Sequence, residues 1–142
     1  MKNVTLALFA LMAGTFSYAQ KAKQAEVPAA VKQAFVKKFT QAKEVKWEKE
    51  DDKFEVNFEQ NNKEMSAVFT SSGVLEETEV EIKSTELPST ITTYISKNYS
   101  GAKVKEVAKI TKANGEVNYE AEVKGQDLIF DANGSFLKSI KE

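Results

Sequence analysis

Several carboxylates of this chain fall at even spacings. Glu55 and Glu59 flank Asn57, Glu120 and Glu122 stand two apart, and Glu77, Glu79 and Glu81 continue the pattern in the run Glu76 to Ile82. Two carboxylates facing each other across a cleft can hydrolyse a glycoside, and several together can hold a hard cation. On a strand, however, period two puts all of them on one face, where charges ordinarily meet water or blunt an exposed edge. The stretch Asp131-Ala132-Asn133-Gly134-Ser135 begins like a calcium loop. It lacks the third oxygen ligand before the glycine and the distal glutamate, so Asn133-Gly134 reads as a hairpin turn.

Other chemistry is excluded by residue type. The chain contains neither histidine nor cysteine, which removes the commonest general base, the commonest metal ligand and the strongest side-chain nucleophile. No Gly-x-Ser-x-Gly elbow or Ser-x-x-Lys pair is present. The expectation is therefore a non-enzyme with no catalytic residue, no cofactor and no metal. All positive charge is lysine, without one arginine to read a phosphate bidentately. The formal net charge of −1 gives no electrostatic ground for a nucleic acid partner.

Residues 1–19 have the layout of a secretory signal peptide. Lys2 supplies a positive start, Val4 to Phe16 is mostly apolar, and Ser17-Tyr18-Ala19 offers small residues at the cleavage positions. A periplasmic or secreted protein is expected, with no membrane anchor after cleavage and a short linker at 20–26. Without cysteine, export is not accompanied by disulfides, so stability rests on burial. Nine Phe, four Tyr and one Trp supply the apolar surface.

The elements that position the carboxylates repeat. At an offset of sixty, Pro28 matches Pro88, Val31 matches Ile91, Phe35 matches Ile95 and Phe39 matches Tyr99. Farther on, Phe69 aligns with Phe130 and Gly73 with Gly134. The two copies span 27–82 and 87–142. Each opens with a proline-started helix whose apolar residues recur every fourth position. Val27 and Leu87 are placed to staple over the first turns. Alternating strands follow at 54–59 and 119–123, then at 65–69 and 128–130. Asn61-Asn62, Gly125, Ser72-Gly73 and Asn133-Gly134 supply the turns. Val45 and Trp47 mark a further strand directly after the first helix, with Trp47 in the core. The expected fold is α+β: a tandem repeat of a helix plus about four antiparallel strands, helices packed on one face of the sheet and the other face open, making one continuous domain.

The signal peptide, the absence of cysteine, and two copies of Val/Leu-Pro, amphipathic helix, Ala-Lys and strands ending in Phe-x-x-x-Gly resemble the PepSY-like family, also described as resembling the β-lactamase-inhibitor protein. That resemblance implies a tandem helix-plus-sheet architecture whose open face grips a partner protein, and, for the wider group, protease inhibition. It transfers no contact residue, because the inhibitor carries disulfides and this chain has none.

If Phe54, Val56, Phe58, Met65, Ala67 and Phe69 face the helix, alternation sends Glu55, Asn57, Glu59, Ser66 and Val68 the other way. The second copy sends Glu120, Glu122, Asp127 and Ile129 to the equivalent side. Val68 and Ile129 would form an apolar strip rimmed by carboxylates, suited to a protein or peptide of the cell envelope. A calcium- or cation-responsive envelope protein using the acidic strand faces is the alternative.

Overall fold

The computed structural model describes residues 20–21 and 26–141. The expected signal peptide, and residues 22–25 of the expected linker, lie outside them. The elements are β1 (Gln20–Lys21), α1 (Ala29–Lys38), β2 (Lys43–Glu50), β3 (Lys53–Gln60), β4 (Lys63–Thr70), β5 (Leu75–Glu81), α2 (Ser89–Asn98), β6 (Val104–Lys112), β7 (Val117–Val123), β8 (Gln126–Asp131) and β9 (Phe136–Lys141). A single 3₁₀ turn, Ser84–Glu86, precedes α2. The chain divides into two compact units between Thr78 and Glu79.

In the first unit α1 starts immediately after Pro28, whose fixed φ of −57° sets the entry and whose carbonyl accepts from Lys32 N–H at 3.1 Å. Phe39 stands just past the helix, yet its N–H still bonds Phe35 O at 2.8 Å and its side chain stays in the core. Val31, Phe35 and Phe39 close over Trp47, Phe54, Val56, Phe58, Ala67 and Phe69, and Val27 folds into the same cluster as expected of a staple. The Phe35 ring lies 5.1 Å from Phe58 at 78° and 5.4 Å from Trp47 at 75°, the edge-to-face arrangement that ring quadrupoles favour.

The second unit repeats this plan with smaller side chains. Leu87, Ile91 and Ile95 bury against Val107, Ala121, Val123, Leu128 and Phe130. Ile95 stands where α1 has Phe35, and the aromatic contacts move to Tyr94, Phe130 and Phe136. Tyr94 stacks on Phe136 at 4.9 Å and 9° and meets Phe130 edge-on at 5.4 Å.

The turns explain the register. Gln60 pairs with Lys63, so only Asn61 and Asn62 span the β3–β4 hairpin, with φ of 56° and 59°. Both central residues are left-handed, as a two-residue turn matched to strand twist requires, and asparagine tolerates this better than most residues. Lys124 and Gly125 do the same between β7 and β8, with φ of 54° and 72°.

The expected tandem repeat of a helix plus about four antiparallel strands, with the helices on one face of the sheet and the other face open, is corrected in two respects. Among the described residues the strands follow one another in chain order, β1 to β9, in one sheet with two short helices, and every pairing within β1–β4 and within β6–β9 is antiparallel. The chain leaving β5 does not stop at a free edge. Within the second unit, Ile82 N–H donates to Val107 O of β6 at 3.0 Å. The side of the strands away from the helices is also not open: Glu55, Ser66 and Val68 in the first unit, and Glu122, Asp127 and Ile129 in the second, are all buried.

Candidate functional site

The groups that could do chemistry in the sequence have structural work in the fold. Asp131 Oδ1 accepts from the backbone N–H groups of Asn133 and Ser135, at 2.9 and 2.8 Å. It caps the β8–β9 turn from within. Thr70 holds the corresponding place in the first unit, where its Oγ1 accepts from Val74 N–H at 3.1 Å. The calcium-loop likeness is thus a turn with an internal carboxylate cap. Glu76, from the acidic run of β5, pairs with Lys53 at 2.6 Å. Among the described residues no group of three or more carboxylates is placed to hold a metal ion.

The register brings the partner-face candidates together within each unit. Glu55 stands across from Val68, and Asn57 across from Ser66. In the second unit Glu120 stands across from Ile129, and Glu122 across from Asp127. Directly opposed residues of an antiparallel pair share a face, so the alternation read from sequence puts the right residues side by side. Their exposure differs from the expectation. Only Asn57, Glu59 and Glu120 keep partial access to solvent.

Burial changes the chemistry of Glu55. It is 3 % exposed, stands directly across from Glu48 of β2, and lies near Glu50 and Glu77. Burial first, and the negative charges of Glu50 and Glu48 next, push its carboxyl up to about 8, while a hydrogen bond with Asn57 acts the other way. At neutral pH Glu55 is a protonated acid. Its Oε1 and the Ser66 Oγ have no hydrogen-bond partner among the described residues. In the second unit Glu122 is instead held by Lys105, at 2.5 Å.

One concave feature lies outside the sequence reading. A groove of about 530 Å³ is lined by Gln41, Ala42, Lys43, Glu59, Asn61 and Asn62. The α1–β2 connection forms one wall and the β3–β4 turn the other. Gln60 ties them by accepting from Gln41 N–H at 3.3 Å. Lys43 is register-paired with Glu59, and a bulge between Lys43 and Lys46 puts Glu44 at a φ of 55°. Bulges re-aim side chains next to sites. The sequence carries no sign of this bulge. Lys43-Glu44-Val45 reads as an ordinary strand entry, and Asn61-Asn62 announces a turn without saying what the turn faces.

Residues 17–77 and 60–138 each match the family described as putative beta-lactamase-inhibitor-like, PepSY-like. Solved structures share the fold. A protein assigned to the periplasm of Bacteroides eggerthii superposes with a TM-score of 0.73 at 16% identity, covering 80% of this chain and 88% of that one. A DUF2874 family protein from Bacteroides uniformis gives 0.71 at 18% identity with the same coverage. A BLIP-like protein from Bacteroides fragilis gives 0.62 at 24% identity, covering 80% of this chain and 85% of that one. No curated protein is similar enough to count as a match. No helix among the described residues is long and apolar enough to cross a membrane.

Proposed function

Because the chain belongs to the PepSY-like, beta-lactamase-inhibitor-like family, we propose that it is a non-catalytic periplasmic or secreted module that binds a protein or peptide of the cell envelope. The observation that carries this reading is the use made of its polar side chains. Asp131 caps a turn, Lys53 pairs with Glu76, Lys105 with Glu122 and Lys112 with Glu116, and the chain has no histidine or cysteine. A protein so equipped can recognise without transforming. The leader-like residues 1–19, together with the periplasmic assignment of the B. eggerthii relative, support a location outside the cytoplasm.

Partner contact falls to those candidate residues that keep solvent access, Asn57 and Glu59 in the first unit and Glu120 in the second. Glu55, Ser66, Val68, Glu122, Asp127 and Ile129 support them from within the sheet. The test is cross-linked affinity capture from the native envelope extract, with wild-type protein beside the variants Asn57→Lys/Glu59→Lys and Glu120→Lys. A partner captured by wild type and lost from one of the folded variants supports the proposal. Capture unchanged in all of them, or indistinguishable from an unrelated exported control, overturns it.

A further inference from the structure

The groove at the end of the β3–β4 hairpin offers opposite charges and amides without internal partners. Lys43 and Glu59 are directly opposed in the β2–β3 register, the arrangement in which a lysine and a glutamate ordinarily pair across a sheet. Here, among the described residues, no ion pair or side-chain hydrogen bond joins them or engages either side chain elsewhere. The bulge at Glu44 interrupts the ladder between Lys43 and Lys46, beside this pair. Asn61 and Asn62 in the lining hold left-handed backbone, as does Glu44, the residue after Lys43. Left-handed non-glycine residues gather where a particular side-chain direction is needed. The Gln41, Asn61 and Asn62 side chains add amide donors and acceptors to the rim.

We propose that this groove binds a small zwitterion of the amino-acid or dipeptide class, with the ligand carboxylate on Lys43 and its ammonium on Glu59. The lining supplies one charge of each sign, so a ligand with both is neutralised at both ends, whereas a simple anion or cation leaves one groove charge unmatched. The lining has no aromatic ring, so it lacks the stacking platform that a sugar or nucleobase would use. A volume of about 530 Å³ is in the ordinary range for small-ligand sites and accommodates a dipeptide with its water. The amides match a peptide group, which makes a dipeptide the better occupant of the two. The inference rests on the reading of the chain as a binding module and names a ligand chemistry for one end of its first unit.

The experiment is a titration of the isotopically labelled protein, followed by amide NMR, with glycine, glycylglycine and the uncharged N-acetylglycinamide as separate probes. Saturable shifts confined to Gln41–Lys43 and Glu59–Asn62 are expected with glycylglycine, weaker ones with glycine, and none with N-acetylglycinamide. Lys43→Gln and Glu59→Gln are expected each to weaken binding by about two- to fivefold, the factor an exposed ion pair supplies. Both positions lie at strand ends away from the core cluster, and unchanged spectra elsewhere verify the fold. Equal response to all three probes, no response to the dipeptide, or full binding in both variants overturns the proposal. Absence of dipeptide binding while the wild type captures its partner and a folded variant loses it removes this inference alone; dipeptide binding with partner capture unchanged in every variant removes only the reading of the partner-contact residues.

Discussion

A Cβ placed on Gly73 would lie 2.7 Å from the carbonyl oxygen of Ala30. The β4–β5 turn is therefore seated on the first turn of α1, and the close approach is to backbone, which cannot swing aside. Gly73 also has a φ of 85°. The variant Gly73→Ala is expected to lose about 1–3 kcal/mol, read as a lower urea midpoint at unchanged m-value. Gly134 holds the matching place in the second unit, where an added Cβ would overlap Thr90 Oγ1, the group that donates to Asn133 O at 3.0 Å. Gly134→Ala should cost less in a Thr90→Ala background than in the wild type, a coupling that a double-mutant cycle measures.

Glu55 makes stability depend on pH in a direction opposite to that of most carboxylates. Its folded value of about 8 lies above the ordinary 4.5, so between these values the folded chain holds a proton that the unfolded chain has released. The contribution of this group to stability is complete below about 4.5, falls by at most about 1.4 kcal/mol per pH unit above it, and is exhausted once pH passes the folded value. Glu55→Gln keeps the shape and cannot ionise. Urea melts from pH 5 to 9 should show that variant losing less stability than wild type as pH rises; parallel curves would refute the assignment.

Adjacent residues of α1 predict opposite outcomes. Phe35 sits in the middle of the first cluster against four further aromatic residues, while Val36 is 63% exposed on the same helix. Phe35→Ala is expected to cost about 3–5 kcal/mol. Val36→Ala should stay within about 0.5 kcal/mol of wild type. Thermal melts of the two variants side by side check the burial directly.

The β3–β4 turn responds to backbone chemistry alone. Asn62 has a φ of 59°, so Asn62→Gly should leave stability unchanged or slightly raised. Asn62→Val, with a branched Cβ, should lower it by about 1–2 kcal/mol. The same pair of variants tested for dipeptide binding separates the turn geometry from the side chain that lines the groove.

By itself, the amino-acid order determined every local choice that one residue or one period can state. Proline before an every-fourth-residue apolar stripe set both helices, because those positions lie on one face of a 3.6-residue turn. Strict alternation from Phe54 to Glu59 decided which side of β3 meets the helix, and Asn61-Asn62 fixed the hairpin register because few residues accept two left-handed positions in succession. Tertiary structure decided what lies beyond those periods. Alternation names two faces but does not say whether the second meets water, and Glu55, Val68 and Ile129 turned out buried. Nor does it say where a strand finds its next partner, and among the described residues the strands follow one another in chain order in one sheet with two short helices. The bulge at Glu44 and the groove beside it come from a one-residue mismatch between two strands. Each strand alone looks regular, and the mismatch exists only once they pair.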